Sequence, residues 1–119
     1  MKSSHETGQT GQLTAEVYLQ KKGHKILARN FRKKTGEIDL VTNDGEYIVF
    51  VEVKARKGLT HGYPREAVGA VKQKRIMDTA QHYLIQNNLA EVNIRFDVVE
   101  VLINHEGTFV SHIENAFTG

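Results

Sequence analysis

Four residues of one short stretch have side chains suited to chemistry: Glu37, Asp39, Glu52 and Lys54, within Gly36–Arg56, GEIDLVTNDGEYIVFVEVKAR. Glu37 to Val41 alternates polar and apolar residues, and Tyr47 to Val53 is a β-branched and aromatic run. Both read as strands. Asn43-Asp44-Gly45-Glu46 between them is a hairpin signal, because Asp44-Gly45 tolerates the positive φ of a tight turn. A two-residue turn there sets Asn43 opposite Glu46, Val41 opposite Ile48, Asp39 opposite Phe50 and Glu37 opposite Glu52. Side chains alternate along a strand, so this register puts Glu37, Asp39, Glu52 and Lys54 on one face. A three-residue loop would send Asp39 to the face away from Glu52.

Carboxylates gathered on one face repel unless a cation lies among them. Lys54 is one such cation, and a hard divalent ion, Mg²⁺ or Mn²⁺, is another. An ion of that kind with a lysine beside it is equipment for phosphodiester hydrolysis. The ion polarises a phosphoryl oxygen and acidifies water, and the amine orients that water or offsets the growing charge. The plainer alternative is a solvated strand face with a cross-strand ion pair, since Glu-x-Lys triplets are common on strands.

The elements around this hairpin read in order. Met1 to Thr10 is rich in Ser, Thr, Gly and Gln and reads as a flexible tail, with a single domain from Gly11 to Gly119. A helix is expected from about Gln9 to Lys22, with Leu13, Ala15, Val17, Tyr18 and Leu19 as its apolar stripe and Gly23 closing it. Lys25 to Phe31 reads as a strand. In the second motif strand Val49, Val51, Val53 and Ala55 face one way and Ile48 and Phe50 the other, as in a central strand covered on both sides. Gly58 to Gly62, with His61, is a loop, and Pro64 holds Tyr63 extended. A helix follows from about Ala70 to Asn87, its buried side including Val71, Met77, Ala80, Tyr83 and Leu84. Val92 to Ile103 and Thr108 to Ile113 read as strands about an Asn104–Gly107 turn. Asp97 and Glu100 are expected to be structural or exposed, and Phe117 to dock its ring on the body. The order α-β-β-β-α-β-β gives one α/β domain, a mixed central sheet flanked by helices on both sides.

Bulk properties fit a single globular domain: 119 residues, 39% hydrophobic, 25% charged. With no cysteine there is neither a disulfide framework nor a thiolate metal site. No apolar run reaches membrane-spanning length and no signal-peptide core follows Met1, so the expected compartment is the cytoplasm. The net charge is only +2, but the cations are clustered. One group contains Arg32, Lys33 and Lys34, and a second contains Lys54, Arg56, Lys72 and Arg75. Basic patches beside acids suit a nuclease, the patches holding DNA phosphates and the acids a metal; the plainer alternative is a solvated charged face.

The pattern Asp39, spacer, Glu52-Val53-Lys54 resembles the D…(D/E)-x-K signature of restriction-endonuclease-like nucleases. A wider series occurs in order: Tyr18-Leu19 and Gly23, Ile26 to Arg32, Gly36 to Val41, Val49 to Arg56, Glu66-Ala67-Val68, Lys72-Gln73, Arg95 to Val99, and Asn115-Ala116-Phe117. Together these resemble the YraN-like family of small bacterial proteins, similar in fold to archaeal Holliday-junction resolvases, over nearly the whole chain from Gly11. The resemblance implies a restriction-endonuclease-like fold and a Mg²⁺- or Mn²⁺-dependent nuclease acting on DNA, including branched DNA. It implies that Asp39 and Glu52 bind the metal with the Val53 carbonyl, and that Glu37 is an outer or second-metal ligand. Lys54 positions the water, and Gln73 contributes a polar group beside that lysine. Arg32, Lys33, Lys34, Arg56, Lys72 and Arg75 are the expected DNA contacts. The family usually has a glutamate where this chain has Gln12; Glu16, one turn on, is either its substitute or a surface residue. Resolvases of similar fold act as dimers, which leaves a homodimer open. The competing expectation is a non-catalytic nucleic-acid-binding or protein-interaction module on the same scaffold.

Overall fold

A computed structural model describes residues 4–58 and 68–118. The loop with His61 and the stretch Tyr63–Ala67, with Arg65 and Glu66, lie outside the described residues. Helix α1 (Ser4–Lys21) precedes strands β1 (Lys25–Lys33), β2 (Gly36–Asn43) and β3 (Ile48–Lys57). Helix α2 (Ala70–Gln86) follows, then β4 (Ile94–Asn104) and β5 (Gly107–Phe117). The strands form one sheet in the order β1-β2-β3-β4-β5, antiparallel except for the parallel β3–β4 pair. The fold is therefore α/β with a mixed five-stranded sheet and two flanking helices, compatible with a restriction-endonuclease-like fold.

Each face of the sheet has its own core. Ala15 and Leu19 of α1 pack with Leu40, Val49, Val51, Val99 and Val101. On the other side Ile76, Ala80 and Tyr83 of α2 pack with Ile38, Val41, Ile48, Phe50, Phe96 and Val98. Strand β3 thus lies between two apolar layers, as its two-sided sequence pattern requires. A row of rings extends one core: Phe50 stacks on Phe96 at 5.5 Å between centroids, and Phe96 on Phe117 at 5.0 Å. The expected docking of Phe117 is this stack, and β5 runs on through Glu114–Phe117 where a strand only to Ile113 was expected.

Three local expectations are corrected. The helix begins at Ser4, within the segment read as a tail, and its buried stripe is Thr7, Gly11, Ala15, Glu16 and Leu19. Leu13 and Val17 are exposed. Small residues at spacings of four let α1 lie close to the sheet, and a Cβ at Gly11 would collide with Ala55 Cβ. In α2, Val71 is exposed and Ile76 and Thr79 are buried in its place. The hairpin loop is four residues, Asp44 to Tyr47, because Asn43 pairs with Ile48. Asp44 Oδ1 accepts the Glu46 and Tyr47 N–H groups (2.9 and 2.7 Å), which draws Tyr47 out of the strand into the turn. The ladder Leu40↔Val51, Val41↔Phe50 is shifted by two from the expected register, so the faces are kept and Asp39 falls in line with Glu52 instead of Phe50.

Candidate active site

Asp39 sits where two strand pairings change character. Leu40 packs in the α1-side core and Ile38, two residues away, in the α2-side core, so simple alternation fails between them. Across β1, Asn30 has φ 50°, the left-handed conformation that Asn adopts more readily than most residues. Pairing of β2 with β3 ends at Leu40↔Val51, and there the Asp39 side chain replaces the ladder: Val53 N–H donates to Asp39 Oδ2 at 2.8 Å. The same side chain shares a hydrogen bond with the Glu52 carboxylate. The two acids assigned to the metal are therefore in direct contact.

Their electrostatics are unfavourable as paired anions. Burial, then the hydrogen bond and charge of Glu52, push the Asp39 carboxyl up to about 8; the Val53 N–H opposes this, and Glu37 adds to the rise. Glu52 is 6% exposed. Its Oε2 is met by Lys72 Nζ at 2.7 Å, an ion pair at the edge of the site. Two carboxyl groups in contact in a largely buried position, one of them paired with an ammonium, form a donor set that fits a hard divalent cation. Among the described residues no group of three or more His, Asp or Glu side chains is arranged to hold a metal, so the pair would supply only part of a coordination shell. Mg²⁺ commonly completes such a shell with water and substrate oxygens.

Two open cavities meet at this point. The larger, about 1160 Å³, lies against α1 and is lined by residues including Gln12, Glu16, Glu37, Asp39, Lys54 and Arg56. The smaller, about 670 Å³, lies against α2 and is lined by residues including Gly36, Glu37, Asp39, Glu52, Lys72 and Arg75. Glu37 and Asp39 border both. Lys54 lines the α1 side and Glu52 the α2 side, so the expected common opening for all four side chains is divided by the sheet end.

Most of the remaining assigned residues have identifiable partners. Arg32 Nη2 donates to Glu37 Oε2 at 2.9 Å and Arg56 Nη2 to Glu100 Oε1 at 2.9 Å. Lys33 Nζ lies over the Phe31 ring, 5.4 Å from its centroid. Lys34 and Arg75 line a shallow hollow between the β1–β2 turn and α2. Gln73 Nε2 donates to the Val68 carbonyl at 2.6 Å, tying the entry of α2, and the side chain of this helix that reaches the acids is Lys72. Lys72 was expected as a phosphate contact; its pairing with Glu52 leaves no sequence signal beyond the basic first turn of α2. Gln12 exchanges amide hydrogen bonds with Asn30 (3.0 and 3.2 Å). Glu16 is buried and accepts from Arg29 Nε at 2.8 Å, so it is not the surface residue that was the simpler expectation.

A second polar cluster is structural. Asp97 is fully buried and accepts from Arg95 Nε and Nη2 (2.9 and 3.0 Å), from His112 Nε2 (2.8 Å) and from the Asn115 N–H (2.9 Å). Burial alone would raise its pKa, but these four donors hold it below the ordinary value. With Nε2 donating, His112 Nδ1 is the acceptor for the Tyr18 hydroxyl at 3.2 Å. Arg95 Nη1 also reaches Asp44 at 3.0 Å, fastening β4 to the hairpin turn.

Comparison with known proteins supplies a family. The model of the uncharacterised protein family UPF0102 matches residues 12–101. A UPF0102 protein of Clostridium acetobutylicum is 45% identical over 114 residues, covering 94% of this chain and 93% of the relative. One from Clostridioides difficile is 44% identical over 115 residues, covering 97% and 99%. One from Caldanaerobacter subterraneus subsp. tengcongensis is 46% identical over 113 residues, covering 92% and 93%. The chain belongs to the UPF0102 family, the YraN-like family that its motifs resemble. No helix among the described residues is long and apolar enough to cross a membrane.

Proposed function

We propose that this UPF0102 protein is a metal-dependent nuclease that hydrolyses phosphodiester bonds in DNA, with branched or otherwise structured DNA as the substrate class. The observation that carries the reading is the Asp39–Glu52 contact at the end of the β2–β3 ladder, where these two strands part from each other and two cavities open. Asp39 and Glu52 would hold Mg²⁺ or Mn²⁺, with the Val53 carbonyl and Glu37 nearby. When bound, the ion would polarise a phosphoryl oxygen and lower the pKa of water. The Val53 N–H fixes the Asp39 carboxylate through Oδ2. Lys54, on the α1-side cavity next to Asp39, is the amine that orients water or offsets charge on the phosphate. Lys34, Arg75 and Lys72 flank the α2-side mouth and suit backbone phosphates. The test is cleavage of junction, flap and linear DNA with Mg²⁺ or Mn²⁺ by the wild type, Asp39→Asn and Lys54→Ala. Activity surviving both substitutions refutes the assigned site.

A second reading has its own support. Four acids around the site each have a cation at hand: Glu16 has Arg29, Glu37 has Arg32, Glu52 has Lys72 and Glu100 has Arg56. Such pairing suits a scaffold that keeps its acids for folding and binds DNA or a protein without turnover. Calorimetry separates the two. A nuclease of this type binds Mn²⁺ at Asp39, whereas a binding module holds DNA with steep salt dependence and no response to chelator. Homodimer formation, proposed for an enzyme that cuts both strands of a junction, is measured by sedimentation.

A further inference from the structure

Lys72 stands in an unusual position relative to the acid pair. Its Nζ is 2.7 Å from Glu52 Oε2, and against the lowering effect of burial this charge-assisted contact raises the lysine pKa. The carboxylate side chain is 6% exposed and the lysine side chain 55%. The ammonium thus neutralises a buried charge while about half of the lysine side chain stays in water, on the first turn of α2 at the rim of the α2-side cavity. Loss of this cation would leave a buried anion beside Asp39. Occupation of Oε2 by a divalent ion would make the ammonium redundant and repel it.

We propose that Lys72 is a tethered counter-cation that a metal ion displaces, and that the displaced ammonium then contacts a substrate phosphate at the α2-side mouth. The proposal rests on the metal reading of Asp39 and Glu52. An ammonium and a divalent ion compete for the same oxygen lone pairs, so they exclude each other at Oε2. The long flexible lysine stem permits the exchange without movement of the helix. Arg75 and Lys34 beside the same mouth show where a phosphate chain would find further positive charge. Metal and DNA binding become mutually reinforcing: the metal releases an amine for phosphate, and phosphate draws the amine off Glu52. Linkage makes the two effects equal in size.

The experiment is Mn²⁺ titration calorimetry without DNA on the wild type, Lys72→Met, Lys72→Arg and, as a charge control, Lys74→Met. Lys74 pairs with Asp78 at 3.1 Å. Lys72→Met is expected to bind Mn²⁺ about tenfold more tightly than the wild type, and the other two to resemble the wild type. In a Lys54→Ala background that suppresses cleavage, Mn²⁺ should tighten binding of labelled junction DNA, and Lys72→Met should shrink that gain. Should Lys72→Met not fold, the wild type still decides: the Lys72 ¹³Cε resonance should move toward that of a solvated lysine as Mg²⁺ saturates. An unchanged resonance at saturation, or equal or weaker Mn²⁺ affinity in Lys72→Met when the wild type binds the ion, overturns the proposal. Absence of Mn²⁺ binding in every variant removes the metal reading itself, and this proposal with it.

Discussion

Replacing Asp39 by Asn should make the metal-free protein more stable at neutral and alkaline pH, and the gain should vanish in acid. In the folded chain the Asp39 carboxyl is raised from 3.8 to about 8, first by burial and then by Glu52. Between these values the native state keeps a proton that the unfolded chain has released. Stability associated with this group is therefore complete below about pH 4 and is lost as pH rises toward 8. One proton is worth about 1.4 kcal/mol per pH unit, so the loss by pH 7 has a ceiling of about 4 kcal/mol. An asparagine reproduces the protonated acid at every pH: Oδ1 can accept the Val53 N–H and Nδ2 can donate to Glu52. Urea unfolding in EDTA from pH 5 to pH 8 should show the variant and wild type diverging by about 2–4 kcal/mol in favour of the variant. Added Mn²⁺ should recover stability in the wild type alone. Parallel stability profiles across that range, or a variant less stable at pH 8, would refute the idea that Asp39 and Glu52 share one site.

Three further outcomes follow from other parts of the molecule. Arg95→Ala strips Asp97 of two charged hydrogen bonds in a fully buried position and should cost about 3–5 kcal/mol by urea unfolding; a cost below about 1 kcal/mol contradicts the network. Gly11→Ala should destabilise by about 1–3 kcal/mol despite better helix propensity, because its Cβ meets Ala55, and Ala55→Gly should restore part of that loss in the double variant. His24, lowered from 6.5 by burial and hydrogen-bonded through Nδ1 to Thr42 Oγ1 at 2.8 Å, should titrate below free histidine in NMR. Its contribution to stability is present above pH 6.5 and declines as acid protonates it, so His24→Asn should flatten the acid limb.

The hairpin was legible because β2 and β3 announce themselves by alternation and because its acids lie close in sequence. The register was legible only to within two residues. Asp44 captures two backbone N–H groups and pulls Tyr47 into the turn, a side-chain choice that strand periodicity does not encode. The face of α1 was legible in part: Ala15 and Leu19 are buried as expected, but hydropathy also rewards the exposed Leu13 and Val17, whereas contact with the sheet requires the small surface of Gly11. Lys72 and Glu52 come together only through the parallel crossover, so their pairing has no local signature. Asp97 looked unremarkable for a similar reason. Arg95 is two residues away on the same strand, but His112 comes from the neighbouring strand β5, and only the fold shows that all three are shielded from water.

Because spatial and chain order coincide across the sheet, three of the four strand junctions are hairpin or meander steps and only β3–β4 needs a long excursion. Near-diagonal pairing of that kind lowers the entropy lost before contacts form, and the excursion through α2 becomes the natural late event in assembly. The carboxyl pair would then be brought together before its lysine arrives. During synthesis or refolding there would be an interval in which dissolved cations, not Lys72, are the available partners for those acids. Millimolar Mg²⁺ present in that interval would offset the charge of the pair until α2 docks, after which the ion and Lys72 compete for Glu52.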